Sequence, residues 1–210
     1  MRLILVGPPG AGKGTQAKRL IDKLKIPHVS SGDMFRTAIA NGTEVGKQVQ
    51  AIMAAGELVS DEVVIEMVIE RIKQDDCRDG FMLDGFPRTR PQAVALDKAL
   101  DADNLSLDGV VLIEVDTKII IDRITGRLTD PKTGTIYHIK NNRPPKNVLV
   151  TLREDDTEEA VSIRMNKYAR DTAPIIPFYE AKSLLKTVDG LQTPDEVTAS
   201  ILDVLGVQKS

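Results

Sequence analysis

A glycine-rich loop near the amino terminus constrains the fold of this chain more than any other feature. Residues 7–15 read GPPGAGKGT, directly after the apolar run 3–6 and directly before a helical pattern that begins at Lys13. In a loop between a strand and a helix, glycines let backbone N–H groups turn inward around phosphate oxygens, and the helix dipole favours the same anion. The sequence therefore predicts a phosphate-binding loop, with Lys13 reaching the outer phosphates.

Further apolar runs alternate with helical patterns along the chain. They lie at 81–83, 110–113 and 186–188 and are flanked by amphipathic segments. Short buried strands that alternate with helices are typical of βαβ units, so we expect an α/β fold with a parallel sheet between helical layers. Segment 128–152 departs from this pattern because it is rich in Pro, Gly and Asn, and it predicts a β-rich insertion.

Composition excludes several other classes of protein. The formal net charge is -3, aromatic residues make up 3% and Trp is absent. A chain of this kind has neither a global basic field nor an aromatic platform, so we expect no nucleic-acid or membrane partner. The single cysteine, Cys77, can form neither an internal disulfide nor a multi-cysteine metal site. Because run 3–6 is too short for a signal or membrane segment, we expect a cytoplasmic protein.

Several segments beyond the loop carry a resemblance to a known family. They are 31–36 (SGDMFR), 56–61 (GELVSD), 81–88 (FMLDGFPR), Gln92, 122–127 (DRITGR), 153–156 (REDD) and Arg164. The glycine loop is shared by a whole superfamily, whereas DGFPR followed by Gln92 is typical of nucleoside monophosphate kinases. Over nearly its whole length the chain resembles adenylate kinases of the long, lid-bearing type.

The resemblance implies both a fold and an activity. The fold is of the P-loop NTPase type, with a central five-stranded parallel sheet, a small helical AMP-binding insertion and a β-rich lid. The expected domains are a core (1–29, 60–125 and 157–210), an AMP-binding domain (30–59) and a lid (126–156). The implied reaction is Mg²⁺-dependent transfer of the γ-phosphoryl group of ATP to AMP, giving two ADP. A monomer with only these nucleotides as partners is also implied.

The resemblance assigns residues to the donor nucleotide. The expected ATP-binding residues are Gly10, Ala11, Gly12, Lys13, Gly14, Thr15, Arg123, Arg127, Ile136, Tyr137, His138 and Gln192. Arg123 would stack on the donor base, which compensates for the scarcity of aromatic side chains. His138 also fits a polar surface position in a hairpin.

A second group is expected to bind the acceptor. The expected AMP-binding residues are Ser31, Arg36, Glu57, Leu58, Val59, Gly85, Phe86, Pro87, Arg88, Gln92, Arg153 and Arg164. Gln92 can match the donor and acceptor edge of adenine, although its place in the first turn of a helix also suits an exposed residue. Lys13, Arg88, Arg127, Arg153 and Arg164 are the expected catalytic residues. Because transfer between phosphates needs charge neutralisation and positioning, no nucleophile or general base is expected.

Metal binding is expected to depend on Asp84. Gly14 stands where phosphate-binding loops usually carry a Ser or Thr that binds magnesium, so Asp84 would hold Mg²⁺ through water. Some long-lid relatives hold the lid with four cysteines and zinc, but this lid has no cysteine, and no structural zinc is expected. Asp130 and Thr133 occupy the first pair of those positions and could form a polar network. The acidic run 154–159 reads as a solvated helix start.

Alternative functions remain open at this point. The nearest is another nucleoside monophosphate kinase, either for UMP and CMP or using GTP as donor. A non-catalytic P-loop regulator has no reason to retain Lys13, Asp84 and the arginines. A small-metabolite kinase needs a base that activates a hydroxyl group.

Overall fold

A five-stranded parallel sheet forms the centre of the molecule. The computed structural model describes residues 1–207, so the last three residues of the expected core, 208–210, lie outside the described residues. Its strands are β1 (Arg2–Val6), β2 (His28–Ser30), β3 (Phe81–Asp84), β4 (Gly109–Glu114) and β7 (Leu185–Asp189). Their order across the sheet is β2-β3-β1-β4-β7. The fold expected from the resemblance is confirmed.

Helices follow or separate these strands. They are α1 (Lys13–Leu24), α2 (Ser31–Ala40), α3 (Glu44–Ala54), α4 (Asp61–Ile72), α5 (Arg90–Ala102), α6 (Thr117–Thr125), α7 (Glu158–Lys167), α8 (Ile175–Glu180) and α9 (Pro194–Val204). A 3₁₀ turn occupies Asp75–Cys77, and a π-helical turn at Tyr168–Thr172 extends α7. Among the described residues, no helix is both long enough and apolar enough to cross a membrane.

Strands β1, β3 and β4 each contribute side chains to two separate apolar clusters. Along β1, Ile4 belongs to the cluster that includes residues of α4 and α5, whereas Leu3 and Leu5 belong to the cluster that includes residues of α1 and α9. Successive side chains of a strand point to opposite faces, so a strand buried on both sides is apolar throughout. The three-layer arrangement follows from this alternation.

Two further segments add to these layers. Helices α2 and α3 pack closely at Gly46, where a Cβ atom would lie 2.2 Å from the carbonyl oxygen of Ala38. In the expected lid, β5 (Arg127–Thr129) pairs antiparallel with β6 (Ile136–His138), and Thr129 also forms a bridge with Thr151. The insertion in 128–152 is therefore a hairpin structure, as the turn residues indicate.

Strand β2 is the element that the apolar pattern does not reveal. It has three residues, His28, Val29 and Ser30, and pairs only with β3 at the edge of the sheet. A three-residue strand with one aliphatic side chain has no readable alternation. Its place is determined by the parallel ladder with β3, which the chain supplies 50 residues later.

The buried aliphatic side chains should dominate the free energy of unfolding. Leu83 in β3 is 0% exposed, whereas Leu149 is 78% exposed. We expect Leu83→Ala to lower the free energy of unfolding by about 2–5 kcal/mol, because it leaves a cavity in the core. The matched change Leu149→Ala should alter it by less than about 0.5 kcal/mol. Denaturant melts of both variants check this, and equal losses would contradict the burial pattern.

Candidate active site

One cavity of about 1000 Å³ opens where the carboxyl ends of β1, β2 and β3 meet the helices that follow them. Crevices at this edge are where open α/β sheets bind ligands. The glycine loop forms its floor, and helix α1 begins at Lys13 directly after Gly12, whose φ of 97° is left-handed. The loop therefore presents the amino terminus of a helix to the cavity.

Lys13 is held against the loop itself. Its Nζ donates hydrogen bonds to the carbonyl oxygens of Gly7 (2.8 Å) and Pro8 (3.0 Å). Burial lowers the pKa of Lys13 to about 8, and the nearby Asp84 carboxylate only partly opposes this effect. The positive charge of the ammonium group is thus only partly balanced, and an incoming phosphate would supply the missing negative charge.

Arginines converge on the same cavity from different parts of the chain. Arg36, Arg88, Arg127, Arg153 and Arg164 all line it. Burial lowers the pKa of Arg153 and of Arg164 to about 10, and the neighbouring Arg127 charge adds to the effect on both. Burial likewise lowers the pKa of Arg88. A cluster whose members disfavour one another's charge is a site for a polyanion.

Aspartates from the acidic run restrain two of these arginines. Arg127 forms a bidentate pair with Asp156, whose side chain is 2% exposed. Arg164 donates to Asp155 at 2.9 Å. The expectation that 154–159 is a solvated helix start is wrong for these two residues, although it holds for the exposed Glu158 and Glu159. The buried arginines require carboxylate partners, and residues 155 and 156 precede helix α7 and supply them.

Gly85 organises the side of the cavity next to β2 and β3. Its carbonyl oxygen accepts hydrogen bonds from Ser31 Oγ (2.7 Å) and from Arg88 Nε (2.8 Å). The Arg88 backbone N–H donates to Gln92 Oε1 at 2.7 Å, and Gln92 is 2% exposed. Gln92 is therefore a buried residue with specific partners, and the exposed alternative is wrong.

On the other side, the end of α6 meets the lid hairpin. Arg123 donates to the carbonyl oxygen of Gly190 at 3.1 Å. His138 Nε2 lies 3.0 Å from the carbonyl oxygen of Asp122, and its Nδ1 accepts from the backbone N–H groups of Lys140 and Asn141. The two N–H donors at Nδ1 make that nitrogen the acceptor, which leaves Nε2 to donate to the Asp122 carbonyl oxygen. With both nitrogens used, His138 can offer a ligand only its ring surface.

Asp84 is placed to help hold a metal ion. Its carboxylate lies near Lys13, and a Cβ atom added at Gly14 would lie 3.7 Å from Asp84 Oδ2. Burial raises its pKa, but His28 and Lys13 more than offset this and keep the pKa below its usual value. In residues 1–207 no group of three or more His, Cys, Asp or Glu could hold a metal. One ionised carboxylate, with phosphate and water as further ligands, suits magnesium.

Nearly all the residues expected to bind the two nucleotides line this cavity. On the donor side they are Gly10, Ala11, Gly12, Lys13, Gly14, Thr15, Arg123, Arg127, Ile136, Tyr137, His138 and Gln192. On the acceptor side they are Ser31, Arg36, Glu57, Leu58, Val59, Gly85, Pro87, Arg88, Gln92, Arg153 and Arg164. Phe86 is the exception: it is 1% exposed and packs in the apolar core, as an aromatic side chain without a polar group does when it is buried.

Comparison with known proteins identifies the family. The sequence profile described as adenylate kinase matches residues 5–184. An adenylate kinase from Allorhizobium ampelinum is 50% identical, over 98% of this chain and 99% of its own. Adenylate kinases from Finegoldia magna (48%, over 98% and 99%) and Clostridium perfringens (47%, over 100% of both) are similar. The chain belongs to the adenylate kinase family.

Membership of the adenylate kinase family makes this chain a nucleoside monophosphate phosphotransferase. The family, enzyme class and adenylate kinase activity expected from the sequence are confirmed. The rival readings as a non-catalytic regulator or a small-metabolite kinase are therefore wrong. The roles of individual residues are a separate matter and rest on geometry.

The structure adds cavity residues that the sequence reasoning missed. His28 Nε2 lies 3.4 Å from Asp84 Oδ2. Lys18 of α1 donates to the carbonyl oxygen of Thr133 in the hairpin at 2.7 Å. For Asp155 and Asp156 the position two and three residues after Arg153 was a usable signal, whereas nothing in the sequence near His28 or Lys18 indicates these contacts.

A polar network holds the turn of the hairpin. Asp130 accepts from the Lys132 backbone N–H (2.8 Å) and the Thr133 hydroxyl (2.7 Å), and the Thr133 and Thr135 hydroxyl oxygens are 2.7 Å apart. The side-chain hydrogen bond from Thr133 is the main cause that lowers the pKa of Asp130. Asp130 and Thr133 thus form the network suggested for the cysteine-free positions.

The Arg127–Asp156 pair should matter for stability because both charges are withdrawn from water. We expect Asp156→Ala to lower the free energy of unfolding by about 3 kcal/mol, since it leaves the guanidinium group without its partner. Glu154 is exposed, so Glu154→Ala should change it by less than about 0.5 kcal/mol. Chemical denaturation of both variants is the measurement. Equal stability of the two would show that the pair contributes nothing.

Proposed function

We propose that the residues lining this cavity carry out the reversible reaction of ATP with AMP to give two ADP. The observation that supports this most strongly is the convergence of Lys13 with six arginines on one cavity at the glycine loop. Two nucleotides bring about six negative charges together at the reacting phosphates. Only a cluster of fixed cations can hold them in contact while water is kept out.

The donor is proposed to lie along the glycine loop and the hairpin. Backbone N–H groups at the start of α1 and the Lys13 ammonium would bind the β- and γ-phosphates, with Arg127 alongside. The base would lie against Arg123, with the main chain around Ile136 and Tyr137 and residue Gln192 nearby. The His138 ring packs directly on Gly126, where a Cβ atom would come within 2.3 Å of it. This close contact holds the hairpin against the end of α6 and so supports the arrangement.

The acceptor is proposed to lie between α2 and the turn after β3. Arg36 and Arg88 would bind the AMP phosphate, and residues 57–59 with Gln92 would surround its base. Arg153 and Arg164 would contact the group in transfer, since they lie near the arginines of both sides. Fixed guanidinium groups suit phosphate oxygens through paired hydrogen bonds.

The chemistry then needs no side-chain nucleophile. An AMP phosphate oxygen attacks the γ-phosphorus in line, and as its bond forms, the bond from that phosphorus to the β-phosphate oxygen breaks. The leaving group is ADP, and the attacking oxygen is already ionised, so no proton has to be removed. Lys13 and the arginines stabilise the charge that shifts toward the leaving oxygen.

Asp84 is proposed to hold Mg²⁺ through water at the end of β3. Its carboxylate lies beside the glycine loop, since a Cβ atom at Gly14 would be 3.7 Å from Asp84 Oδ2, and its pKa is held below the usual value. A magnesium ion bound there would screen the phosphates and fix their geometry. The protein's part is to keep Asp84 ionised, which Lys13 and His28 do.

Closure over the substrates is proposed to follow from the division into three domains. They are a core (1–29, 60–125 and 157–210), an AMP-binding domain (30–59) and a lid (126–156). Contacts across these boundaries support it: Lys18 to Thr133, and Lys167 to Glu57. Closing both insertions would exclude water from the phosphates. We also propose a monomer, as the family resemblance implies, and a cytoplasmic setting, which the single, buried Cys77 fits.

A coupled assay tests the substrates and one residue role together. We expect ADP formation from ATP and AMP, with UMP, CMP or GMP as acceptor and GTP as donor all poorer. Arg88→Ala should lower kcat/KM by at least about 100-fold, because it removes a fixed cation from the acceptor phosphate. Arg90 is exposed two residues away, so Arg90→Ala is the matched control and should keep wild-type rates. Preference for UMP would overturn the acceptor assignment, and a fully active Arg88→Ala would overturn its role.

The pKa of Lys13 makes a second prediction. In the free enzyme the ammonium group is charged below a pKa of about 8 and neutral above it. We therefore expect kcat/KM for ATP to fall as the pH rises through about 8, because this ratio reports groups of the free enzyme. Lys13→Arg should move the fall to higher pH. A profile that stays flat up to pH values well above this range would contradict the assignment.

A further inference from the structure

Asp61, the first residue of α4, forms hydrogen bonds with two residues at the start of α5, Thr89 and Gln92. Its Oδ2 accepts from the Thr89 hydroxyl at 2.9 Å, and its Oδ1 accepts from Gln92 Nε2 at 2.7 Å. Gln92 Oε1 in turn accepts from the Arg88 backbone N–H at 2.7 Å. Asp61 does not line the cavity, whereas Gln92 and Arg88 do.

These partners allow one orientation of the Gln92 amide. The Arg88 N–H can only donate, and the ionised Asp61 carboxylate can only accept. Rotating the amide by 180° would place Oε1 against the carboxylate and the NH₂ group against the N–H. A buried amide would then lose both hydrogen bonds and gain two repulsive contacts.

The fixed amide leaves a definite pattern for a ligand. Of its two N–H groups one is used by Asp61, and of the two lone pairs on Oε1 one is used by Arg88. One donor and one acceptor remain. A 6-aminopurine offers the complementary pair, an N6–H donor beside an N1 acceptor, whereas a 6-oxopurine offers an O6 acceptor beside an N1–H donor. The second pattern fits only the reversed amide.

We propose that Asp61 is a positioning residue that fixes the Gln92 amide and thereby selects a 6-aminopurine acceptor over a 6-oxopurine. This rests on the proposed acceptor site near Gln92. Asp61 acts through Gln92 and touches no substrate. The acidic side chain thus sets base specificity from behind the pocket, by making the reversed amide unfavourable.

The test compares AMP with inosine monophosphate (IMP) as acceptors in three variants. Asp61→Ala removes the acceptor for Gln92 Nε2. Asp61→Asn keeps an acceptor oxygen toward Gln92, with its NH₂ group turned to the Thr89 hydroxyl, but removes the charge. Glu62→Ala removes a carboxylate from the same first helical turn, and Glu62 is exposed, so it is the matched control for the helix dipole.

We expect Asp61→Ala to lower kcat/KM for AMP about tenfold through a higher KM for AMP, with the KM for ATP unchanged. The ratio of kcat/KM for AMP to that for IMP should fall about tenfold as well. Asp61→Asn should keep this ratio within about threefold of the wild-type value, and Glu62→Ala should not change it. If Asp61→Ala leaves the ratio unchanged, or if Asp61→Asn lowers it as far, the proposal is overturned.

A double-mutant cycle with Gln92→Ala separates positioning from a general structural effect. In that background Asp61→Ala should no longer change the AMP to IMP ratio, because the amide it orients is gone. A change of equal size in both backgrounds would overturn the proposal.

The wild-type chain gives a measurement that needs no variant. One Gln92 side-chain amide proton should exchange slowly with solvent in the nucleotide-free protein, and fast exchange of both would overturn the proposal. A wild-type enzyme that makes no ADP from ATP and AMP would instead refute the proposed function.

Discussion

Repulsion among like charges is the constraint on which the rest of this structure depends. Nine lysine and arginine side chains line one cavity, and burial together with the proximity of neighbouring arginines lowers the pKa of Lys13, Arg153 and Arg164. Such a cluster costs free energy in the nucleotide-free protein, and the surrounding carboxylates reduce that cost. Asp84, Asp155 and Asp156 each lie beside at least one of these cations. They also determine where each cation points, which prepares the cavity for phosphates.

The arrangement of the strands also brings opposite charges together at the cavity. The carboxyl ends of β1 and β3 lie side by side in the sheet, so the glycine loop and Asp84 become neighbours although 70 residues separate Gly14 from Asp84. Parallel strands buried on both faces give this edge a rigid support. The remaining cations come from segments outside the sheet, and two carboxylates just before α7, those of Asp155 and Asp156, pair with two of them. The sheet that supports the cavity and the segments that complete it are thus different parts of the chain.

Buried polar groups are the places where sequence reasoning and structure differ most. Gln92 and His138 were each compatible with an exposed position, yet Gln92 is buried between Asp61 and Arg88, and both nitrogens of His138 have backbone partners. Phe86 was expected at the acceptor and packs in the core. The sequence alone does not predict such differences, because whether a polar or aromatic residue is buried depends on what packs beside it.

The sequence by itself determined the chemistry class and most of the fold, because both have local signatures. A glycine loop between strand and helix, apolar runs for four strands and the DGFPR segment each act over a few residues. Tertiary structure alone decided the edge strand β2, the carboxylate partners of the arginines, and the contact between Lys18 and Thr133. It also decided that Asp61 orients Gln92 from 31 residues away. These depend on pairings between distant segments, where free energy is set by burial and by hydrogen-bond satisfaction rather than by local preference.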